Sequence, residues 1–227
     1  WQLRPEQLSP SVTARVPVSI SYDDRYFQDT YQAMPLNGYT AMFNEMLTHP
    51  NLTVTVGAEW KEIAATVSAD RILYTGAIDE LLDYRFGPLP YRSLRFEEST
   101  LNEIQHQQVG TINYPNNYEY TRVTELKIIT GQQAPITTLI TEYPRAHEPG
   151  HNIAYYPIPR DENQLLYARY LEAARAKFPN VLFAGRLADY QYYNMDQACA
   201  RALKLASDNG GPAWLSNRRL RGVAADD

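Results

Sequence analysis

The spacing of apolar residues predicts two strand-and-helix segments, one on each side of a longer polar-punctuated region. Apolar runs at residues 71–76 ("RILYTG") and 180–186 ("NVLFAGR") predict buried strands. A short helix is predicted after the first ("AIDELLDY", 77–84) and a longer one after the second ("MDQACARALKLA", 195–206). Further helices are predicted at 37–47, with Asn37 as its cap, and at 164–178, and further strands at 18–22 and 52–56.

Four strand patterns follow one another between residues 91 and 144 with no helical spacing between them. They are "YRSLRFEE" (91–98), "VGTINY" (109–114), "TRVTELKII" (121–129) and "TTLITEY" (137–143). Pro, Gly and Asn separate them, which favours antiparallel pairing through short connections. The fold class is therefore predicted to be α+β, with an antiparallel sheet at 88–180 inserted between the α/β segments 37–87 and 181–207. Residues 1–36 precede these segments, and 208–227 form a predicted tail.

Composition excludes several classes of function. The net charge of −5 and the isoelectric point near 5.4 argue against a nucleic-acid-binding surface. No apolar run approaches the ~20 residues of a membrane-spanning helix. The single cysteine, Cys199, excludes an internal disulfide and predicts a reducing, cytoplasmic location. The four histidines lack the spacing of a metal site, so no metal is predicted.

Two arginines are candidates for binding a diphosphate. Arg122 occupies a predicted strand, on a face with Thr124, Leu126 and Ile128, where a charge needs an anionic partner. Arg15 lies in a proline-punctuated loop that would bring it over a ligand. Guanidinium groups match phosphate oxygens, so two of them would clamp a diphosphate. The alternatives are an ion pair with Glu or Asp for Arg122, and a solvated loop position for Arg15.

Tyrosine is unusually frequent, with 18 residues against six phenylalanines. Hydroxyls from Tyr26, Tyr156 and Tyr192 are candidates to complete the diphosphate clamp, because tyrosine combines a flat ring with a polar tip. The alternative for any one tyrosine is that it lines a sheet surface. The junction at Gly185-Arg186 is a second candidate site, since the helix beginning at Asn194 and Met195 offers backbone N–H groups to an electron-rich ligand.

Four blocks of the sequence closely resemble the bacterial UDP-galactopyranose mutase family. They are "YFQDTYQAMPLNGYTAMFNEML" (26–47), "ILYTGAIDELLDYRFGPLPYRSLRFE" (72–97), "INYPNNYEYTR" (112–122) and "FAGRLADYQYYNMDQACARAL" (183–203). They occur in the family's order, and the similarity extends from Trp1 to about Leu205.

The resemblance implies a flavoenzyme of galactofuranose biosynthesis for the cell wall, acting as a cytoplasmic homodimer. Such enzymes interconvert UDP-galactopyranose and UDP-galactofuranose through a covalent adduct between N5 of reduced FAD and the sugar. The cofactor supplies the chemistry, and the protein orients both partners and stabilises the departing UDP. The resemblance also implies an α/β flavoprotein. Segments 37–87 and 181–207 would belong to its FAD-binding domain, 88–180 to its substrate domain, and 1–36 to the end of the helical domain with a mobile lid.

The resemblance also assigns site residues. Arg15, on the lid, and Arg122 match the two diphosphate-binding arginines and are the expected catalytic residues. Trp1, Tyr26, Asn113, Arg122, Tyr156 and Tyr192 match substrate-binding positions. Gly76, Gly185, Arg186, Tyr192, Asn194 and Met195 match cofactor-binding positions. Asn194 stands where some relatives have Asp, so a charge at this position is not expected to be essential.

One departure from the family pattern is clear. The glycine fingerprint that opens a dinucleotide-binding fold is absent from these 227 residues. The chain is therefore expected to be the C-terminal portion of a longer protein and to bind FAD poorly by itself. Two other functions stay open: a related flavin oxidase resembling amine oxidases, which has no need of two diphosphate-binding arginines, and a non-catalytic nucleotide-sugar-binding module.

Overall fold

The computed structural model describes residues 6, 10, 20–22, 28–115 and 117–211. It divides into two compact units. Unit 1 contains the described residues of 10–67 and 94–146, and unit 2 contains those of 68–93 and 147–211. Both α-helices and β-strands occur, so the predicted α+β class is confirmed. The predicted strand at 18–22 lies partly outside the described residues.

The helices and strands are named in chain order. The helices are α1 (Gly38–Met46), α2 (Trp60–Ile63), α3 (Ile78–Leu81), α4 (Leu126–Thr130), α5 (Asp161–Lys177) and α6 (Met195–Asp208). The strands are β1 (Ile72–Tyr74), β2 (Tyr91–Leu101), β3 (Thr111–Asn113), β4 (Arg122–Glu125), β5 (Thr137–Ala146), β6 (Tyr156–Pro157) and β7 (Val181–Phe183).

Unit 1 is built on the predicted antiparallel strands. They lie in the order β3-β4-β5-β2. β4 pairs with β3 on one side and with β5 on the other, so that Arg122 lies opposite both Asn113 and Glu142. This central strand is short, with Glu125 as its last residue. The register places the predicted diphosphate-binding arginine at the start of the central strand, between β3 and β5.

The prediction of a strand over residues 121–129 is wrong beyond Glu125. Residues 126–130 form α4, which ends at Gly131 in a left-handed conformation with φ of 71°. The ammonium of Lys127 donates to the carbonyls of Ala134 (2.7 Å) and Ile136 (2.9 Å) and thereby ties the helix to the following loop. Leu126 and Ile128 therefore do not continue the face of β4 that carries Arg122.

Glu125 explains where β4 stops. Its fully buried carboxylate accepts a hydrogen bond from the Thr137 hydroxyl (2.6 Å) and from the backbone N–H groups of Gln107 (2.6 Å) and His106 (3.1 Å). A buried charge is tolerated only when it is hydrogen-bonded in this way. The carboxylate thus fastens the loop before β3 to the end of β4 and the start of β5.

Of two further expectations for unit 1, the strand is wrong and the helix is confirmed. Residues 52–56 form no strand, and Leu52, Val54 and Val56 are each at least half exposed (51%, 54% and 86%). Alternation of apolar and polar residues makes a strand only where a partner strand is available, and no described residue pairs with them. Helix α1 forms as predicted after Asn37, but without a side-chain hydrogen bond from this cap. None of its residues is buried within the described structure.

Unit 2 contains the two predicted strand-and-helix segments. β1 and β7 pair in parallel, with Ile72 opposite Val181 and Tyr74 opposite Phe183. Parallel strands need a long connection, which here includes the whole inserted sheet. Helix α3 follows β1 and packs against α5, and α6 follows β7. These observations confirm the prediction that 71–84 and 181–206 each form a strand followed by a helix.

Tyrosines form much of the core of unit 2. Tyr170 is fully buried, and its hydroxyl donates to the carbonyl of Gly87 (2.7 Å) while accepting from the N–H of Phe86 (2.9 Å). Tyr190 is 1% exposed and donates to the carbonyl of Pro90 (2.6 Å). Tyr167 donates to the carbonyl of Ala188 (3.1 Å), and burial raises the pKa of its hydroxyl to about 12. These tyrosines stabilise loop backbone, so they are core residues of the fold.

Candidate functional site

Three of the predicted site residues, Trp1, Arg15 and Tyr26, lie outside the described residues. The others fall in the two units, and each unit is considered by itself. Asn113 and Arg122 belong to unit 1. The remaining residues belong to unit 2: Gly76, Tyr156, Gly185, Arg186, Tyr192, Asn194 and Met195.

In unit 1, Arg122 is held by side chains from both neighbouring strands. Its Nε donates to Oδ1 of Asn113 (3.0 Å), and its Nη1 lies 3.5 Å from Oε1 of Glu142. The alternative of an ion pair with a carboxylate is therefore realised. The Arg122 side chain is nevertheless 47% exposed, whereas that of Glu142 is only 17% exposed. A half-exposed guanidinium gains little from a single long ion pair, so it remains able to bind a stronger anionic partner.

A cluster of tyrosines surrounds the hairpin that carries Asn113 and Arg122. Tyr114 contacts Tyr118 and Tyr120 edge-on, at 4.9 Å between ring centroids in each case. Tyr120 in turn contacts Tyr143 of β5 at 6.0 Å. Edge-to-face pairs stabilise an arrangement beyond the area that they bury. The sequence showed that tyrosine is abundant here, but it did not show which rings meet.

In unit 2, Tyr156, Arg186 and Tyr192 lie together. The rings of Tyr156 and Tyr192 contact each other at 5.6 Å between centroids, with an angle of 68° between their planes. The guanidinium of Arg186 lies over the Tyr192 ring, 4.6 Å from its centroid. A cation over an aromatic face is electrostatically favourable. The structure thus brings together two predicted substrate-binding tyrosines and a predicted cofactor-binding arginine.

Backbone carbonyls fix the orientation of Arg186. Its Nη2 donates to the carbonyl of Tyr193, and its Nη1 donates to that of Tyr155 at 3.5 Å. These contacts span the junction between β7 and α6 and reach the residue before β6. Arg186 therefore serves to hold the loop around the tyrosine pair, in addition to supplying positive charge.

The residue opposite Tyr156 in the sheet, Arg92, was not predicted from sequence. Arg92 of β2 lies opposite Tyr156 of β6 and is only 5% exposed. Burial lowers the pKa of its guanidinium, because the charged form is poorly solvated there, while the neighbouring Tyr156 acts in the opposite direction. The order of apolar and polar residues in "YRSLRFEE" does not predict that Arg92 is buried. Its burial becomes evident only from the pairing of β2 with β6.

The two predicted cofactor-binding glycines follow the carboxyl ends of the parallel strands. Gly76 comes two residues after β1, and Gly185 two residues after β7. Gly185 has a φ of 101°, which side-chain-bearing residues rarely adopt, and a Cβ built there would lie 3.7 Å from the Cβ of Thr75. A Cβ on Gly76 would lie only 2.6 Å from the hydroxyl of Tyr74. In open α/β sheets, ligands bind at this end of the strands.

Helix α6 begins where the sequence predicted, with Asn194 as its N-cap. A capping box joins Asn194 to Gln197, in which the N–H of Asn194 donates to Oε1 of Gln197 (2.8 Å). Met195, the first helical residue, is 68% exposed. The first turn of a helix presents N–H groups without intrahelical partners, together with a partial positive charge. This end of α6 is therefore suited to an electron-rich ligand.

The described residues give no sign of a metal centre or a membrane span. Among them, no group of three or more His, Cys, Asp or Glu side chains is placed to hold a metal ion. None of the described helices combines the length and apolarity needed to cross a bilayer.

Comparison with known protein families shows which family the chain belongs to. The model of the UDP-galactopyranose mutase family matches residues 1–192. The chain belongs to this family. The match extends over both units and includes the hairpin of Arg122 and the cluster of Tyr156, Arg186 and Tyr192.

Individual relatives agree with the family match. The chain is 33% identical to the dTDP-fucopyranose mutase of Escherichia coli over 213 residues, which cover 91% of this chain and 56% of that protein. It is 36% identical to the UDP-galactopyranose mutase of Mycoplasma pneumoniae over 221 residues, covering 91% and 55%. It is 35% identical to the probable UDP-galactopyranose mutase of Klebsiella pneumoniae over 211 residues, covering 92% and 54%. The chain thus spans about half the length of the curated relatives it matches.

Proposed function

We propose that this chain is part of an isomerase that interconverts UDP-galactopyranose and UDP-galactofuranose. The observation that carries the proposal is the family match over residues 1–192, which includes a half-exposed arginine on a sheet and a cluster of two tyrosines and an arginine. Because the chain spans about half of its relatives, the activity is assigned to the complete protein. That protein is proposed to work in the cytoplasm as a homodimer.

The junction between β7 and α6 has the chemical character of a flavin contact, so we propose FAD as the cofactor. Gly185 adopts a φ of 101°, which favours glycine, and the first turn of α6 offers N–H groups to carbonyl oxygens. Gly76, Arg186, Tyr192, Asn194 and Met195 would line the same segment. Reduced FAD, when bound there, would supply a nucleophile for the reaction at the sugar, and these residues would hold and orient it. The ADP half of the cofactor would bind outside these residues, because they contain no glycine fingerprint.

Arg122 would bind the diphosphate of the nucleotide sugar. Negative charge gathers on the diphosphate as its bond to the sugar breaks, and a fixed cation stabilises that charge. Asn113 accepts from Nε of Arg122, and Nη1 makes only a long contact of 3.5 Å with Glu142, so the half-exposed guanidinium is accessible to a phosphate. Arg15 would act on the same diphosphate, with Trp1 and Tyr26 as further substrate contacts.

Tyr156 and Tyr192 would bind and orient the substrate beside the flavin. Their edge-on contact and the guanidinium over Tyr192 give a rigid surface with apolar faces and polar hydroxyls. Such a surface fits a sugar ring, which has both C–H faces and hydroxyl groups.

A second substrate follows from one specific comparison. The Escherichia coli relative is named as a dTDP-fucopyranose mutase and is 33% identical to this chain. A diphosphate-binding arginine accepts UDP and dTDP sugars alike, since it contacts the phosphates and not the base. The complete protein, purified and kept anaerobic with dithionite, should be incubated separately with UDP-galactofuranose and dTDP-fucofuranose, with chromatographic detection of the pyranose forms.

The outcome assigns the substrate. Conversion of UDP-galactofuranose at the higher kcat/KM supports the first proposal, and preference for dTDP-fucofuranose supports the second. Conversion of neither sugar by protein that holds reducible flavin contradicts both. Oxygen consumption on addition of substrate under air would then indicate a flavin oxidase, and binding without either reaction would indicate a nucleotide-sugar-binding module.

A further inference from the structure

Asp189, on the turn after β7, connects three parts of unit 2 through one carboxylate. Its Oδ2 accepts from the backbone N–H of Gly185 (3.1 Å) and from Nε of Arg201 (3.1 Å). Its Oδ1 accepts from Nη2 of Arg201 (3.1 Å), which also donates to the carbonyl of Phe183 (3.0 Å). The carboxylate thus binds the turn itself and the middle of α6, and Arg201 in turn contacts the end of β7.

The geometry of this ion pair makes it stronger than a surface contact. Arg201 approaches Asp189 with two nitrogens on two oxygens, an arrangement that adds direction as well as charge. The Asp189 side chain is 13% exposed and that of Arg201 is 29% exposed, so water screens the pair only in part. In agreement, the hydrogen bond to Asp189 raises the pKa of the Arg201 guanidinium.

Tyr193 extends the contacts to Arg186. Its hydroxyl lies within hydrogen-bonding distance of Oδ2 of Asp189 (3.2 Å) and of Oε1 of Gln191 (3.0 Å). Its carbonyl accepts from Nη2 of Arg186, the guanidinium that covers the Tyr192 ring. Asp189 therefore touches Gly185 directly and orients Arg186 through Tyr193.

We propose that Asp189, supported by Arg201, is a positioning residue for the flavin-contacting segment between β7 and α6. It fixes the backbone of Gly185 and, through Tyr193, the side chain of Arg186. The inference rests on the proposed binding of FAD to this segment. Asp189 does not touch the cofactor in this account, and its effect reaches the flavin through the two residues that it holds.

The test uses the complete protein with Asp189→Asn. Asparagine keeps the shape but removes the charge, so that the Arg201 cation loses its partner and the bond from Gly185 weakens. We expect FAD to dissociate about tenfold more readily, measured by fluorescence titration of the apoprotein. If the substitution changes the dissociation constants of oxidised and reduced FAD by factors that differ tenfold, the midpoint potential of the bound flavin shifts by about 30 mV. A role confined to folding would lower the melting temperature and leave the potential unchanged.

The matched control is Asp208→Asn. Asp208 forms an ion pair with Lys204 on the same helix (3.1 Å), with side chains that are 55% and 72% exposed. This variant should leave both FAD affinity and midpoint potential unchanged. If Asp189→Asn does not fold, Tyr193→Phe decides in its place, because it removes only the hydroxyl. About threefold weaker FAD binding with a shifted potential is expected, since Asp189 keeps its contacts with Gly185 and Arg201 and the loss is partial.

The results separate this inference from the proposed function. Failure of the unsubstituted complete protein to bind FAD would overturn both. The positioning role alone would be overturned by a different pair of results. In that case the unsubstituted protein binds FAD and converts the sugar, and a folded Asp189→Asn variant has the same FAD affinity and the same midpoint potential. A Tyr193→Phe variant with the FAD affinity and midpoint potential of the unsubstituted protein would likewise overturn the positioning role.

Discussion

Asn113 and Arg122 lie directly opposite each other on adjacent antiparallel strands, and Nε of Arg122 donates to Oδ1 of Asn113 at 3.0 Å. This contact fixes the plane of the guanidinium while leaving its side chain 47% exposed. If Arg122 binds the diphosphate as proposed, this arrangement holds the cation in a fixed orientation toward it. The relationship depends on the register of β3 and β4, so a one-residue slip would place the two side chains on opposite faces.

Replacement of Arg122 by Ala in the complete protein should lower kcat by about 10²–10³-fold, as for the loss of a central electrostatic donor. Asn113→Ala should have a smaller effect, because the cation stays and only its orientation is lost. Steady-state kinetics with UDP-galactofuranose and reduced flavin measures both. Glu142→Gln is the control, since it removes the long ion pair and retains Arg122 and Asn113. A near-normal kcat for Arg122→Ala would exclude this residue from the mechanism.

Glu125→Gln should destabilise the complete protein by about 2 kcal/mol, because a buried carboxylate with several hydrogen bonds is replaced by an amide that also carries donors. Glu98→Gln, at an exposed position of β2, is the control and should change the free energy of unfolding little. Urea titrations at neutral pH compare the two. Equal stability of both variants would contradict the assigned role of Glu125.

Glu125 also predicts a pH dependence. Burial by itself would raise the pKa of its carboxyl, but the hydrogen bonds from Thr137, Gln107 and His106 outweigh this and lower the pKa below the ordinary value of 4.5. A lowered pKa in the folded state stabilises the protein above pH 4.5, and this contribution disappears as the pH falls through the folded-state value. The Gln variant should therefore lose less stability between pH 6 and pH 3, measured by urea titration at each pH.

The position of Glu125 shows what the sequence predicts and what it does not. A continuous apolar run with Gly at its end predicted β1 and β7 and the helices after them, because these signals are local. The end of β4 depends on a buried carboxylate that binds the loop at 106–107 and the start of β5, which are distant in sequence. The same holds for residues 52–56, whose alternation is typical of a strand but finds no partner among the described residues.

The candidate site divides in the same way. The residue types at Arg122, Tyr156, Arg186 and Tyr192, and the family resemblance, placed them in the site from the sequence. Their contacts, such as Arg186 over Tyr192, arise from tertiary packing and have no signature in spacing. Asp189 was missed for this reason, since Arg201 lies twelve residues further along the chain and meets Asp189 only because α6 packs beside the end of β7.

Tyr170→Phe should reduce the free energy of unfolding by about 1–3 kcal/mol. The hydroxyl bridges the carbonyl of Gly87 and the N–H of Phe86, and its removal leaves both without this partner in a fully buried position. Tyr118→Phe, at a ring that is 57% exposed, is the control and should be nearly neutral. Chemical denaturation of the complete protein measures the difference, and equal stabilities would show that Tyr170 acts through its ring alone.

Gly185→Ala should weaken FAD binding as well as folding. At φ of 101° a Cβ introduces backbone strain of about 1–3 kcal/mol, and relief of this strain would move the junction that is proposed to contact the flavin. Gly131→Ala, at φ of 71° after α4, is the matched control and should cost about 1–2 kcal/mol in stability without changing FAD affinity. Melting temperature and flavin content report the two effects. Full flavin content in Gly185→Ala would place the cofactor elsewhere.

The central claim, that the complete protein is a flavin-dependent mutase, is tested most directly by the dependence of sugar conversion on the redox state of the flavin. The complete protein is incubated anaerobically with UDP-galactofuranose, with and without dithionite, and the products are separated by chromatography. The account predicts that UDP-galactopyranose forms only when the flavin is reduced. The absence of conversion by protein with bound, reduced flavin, or equal conversion with oxidised flavin, would contradict it.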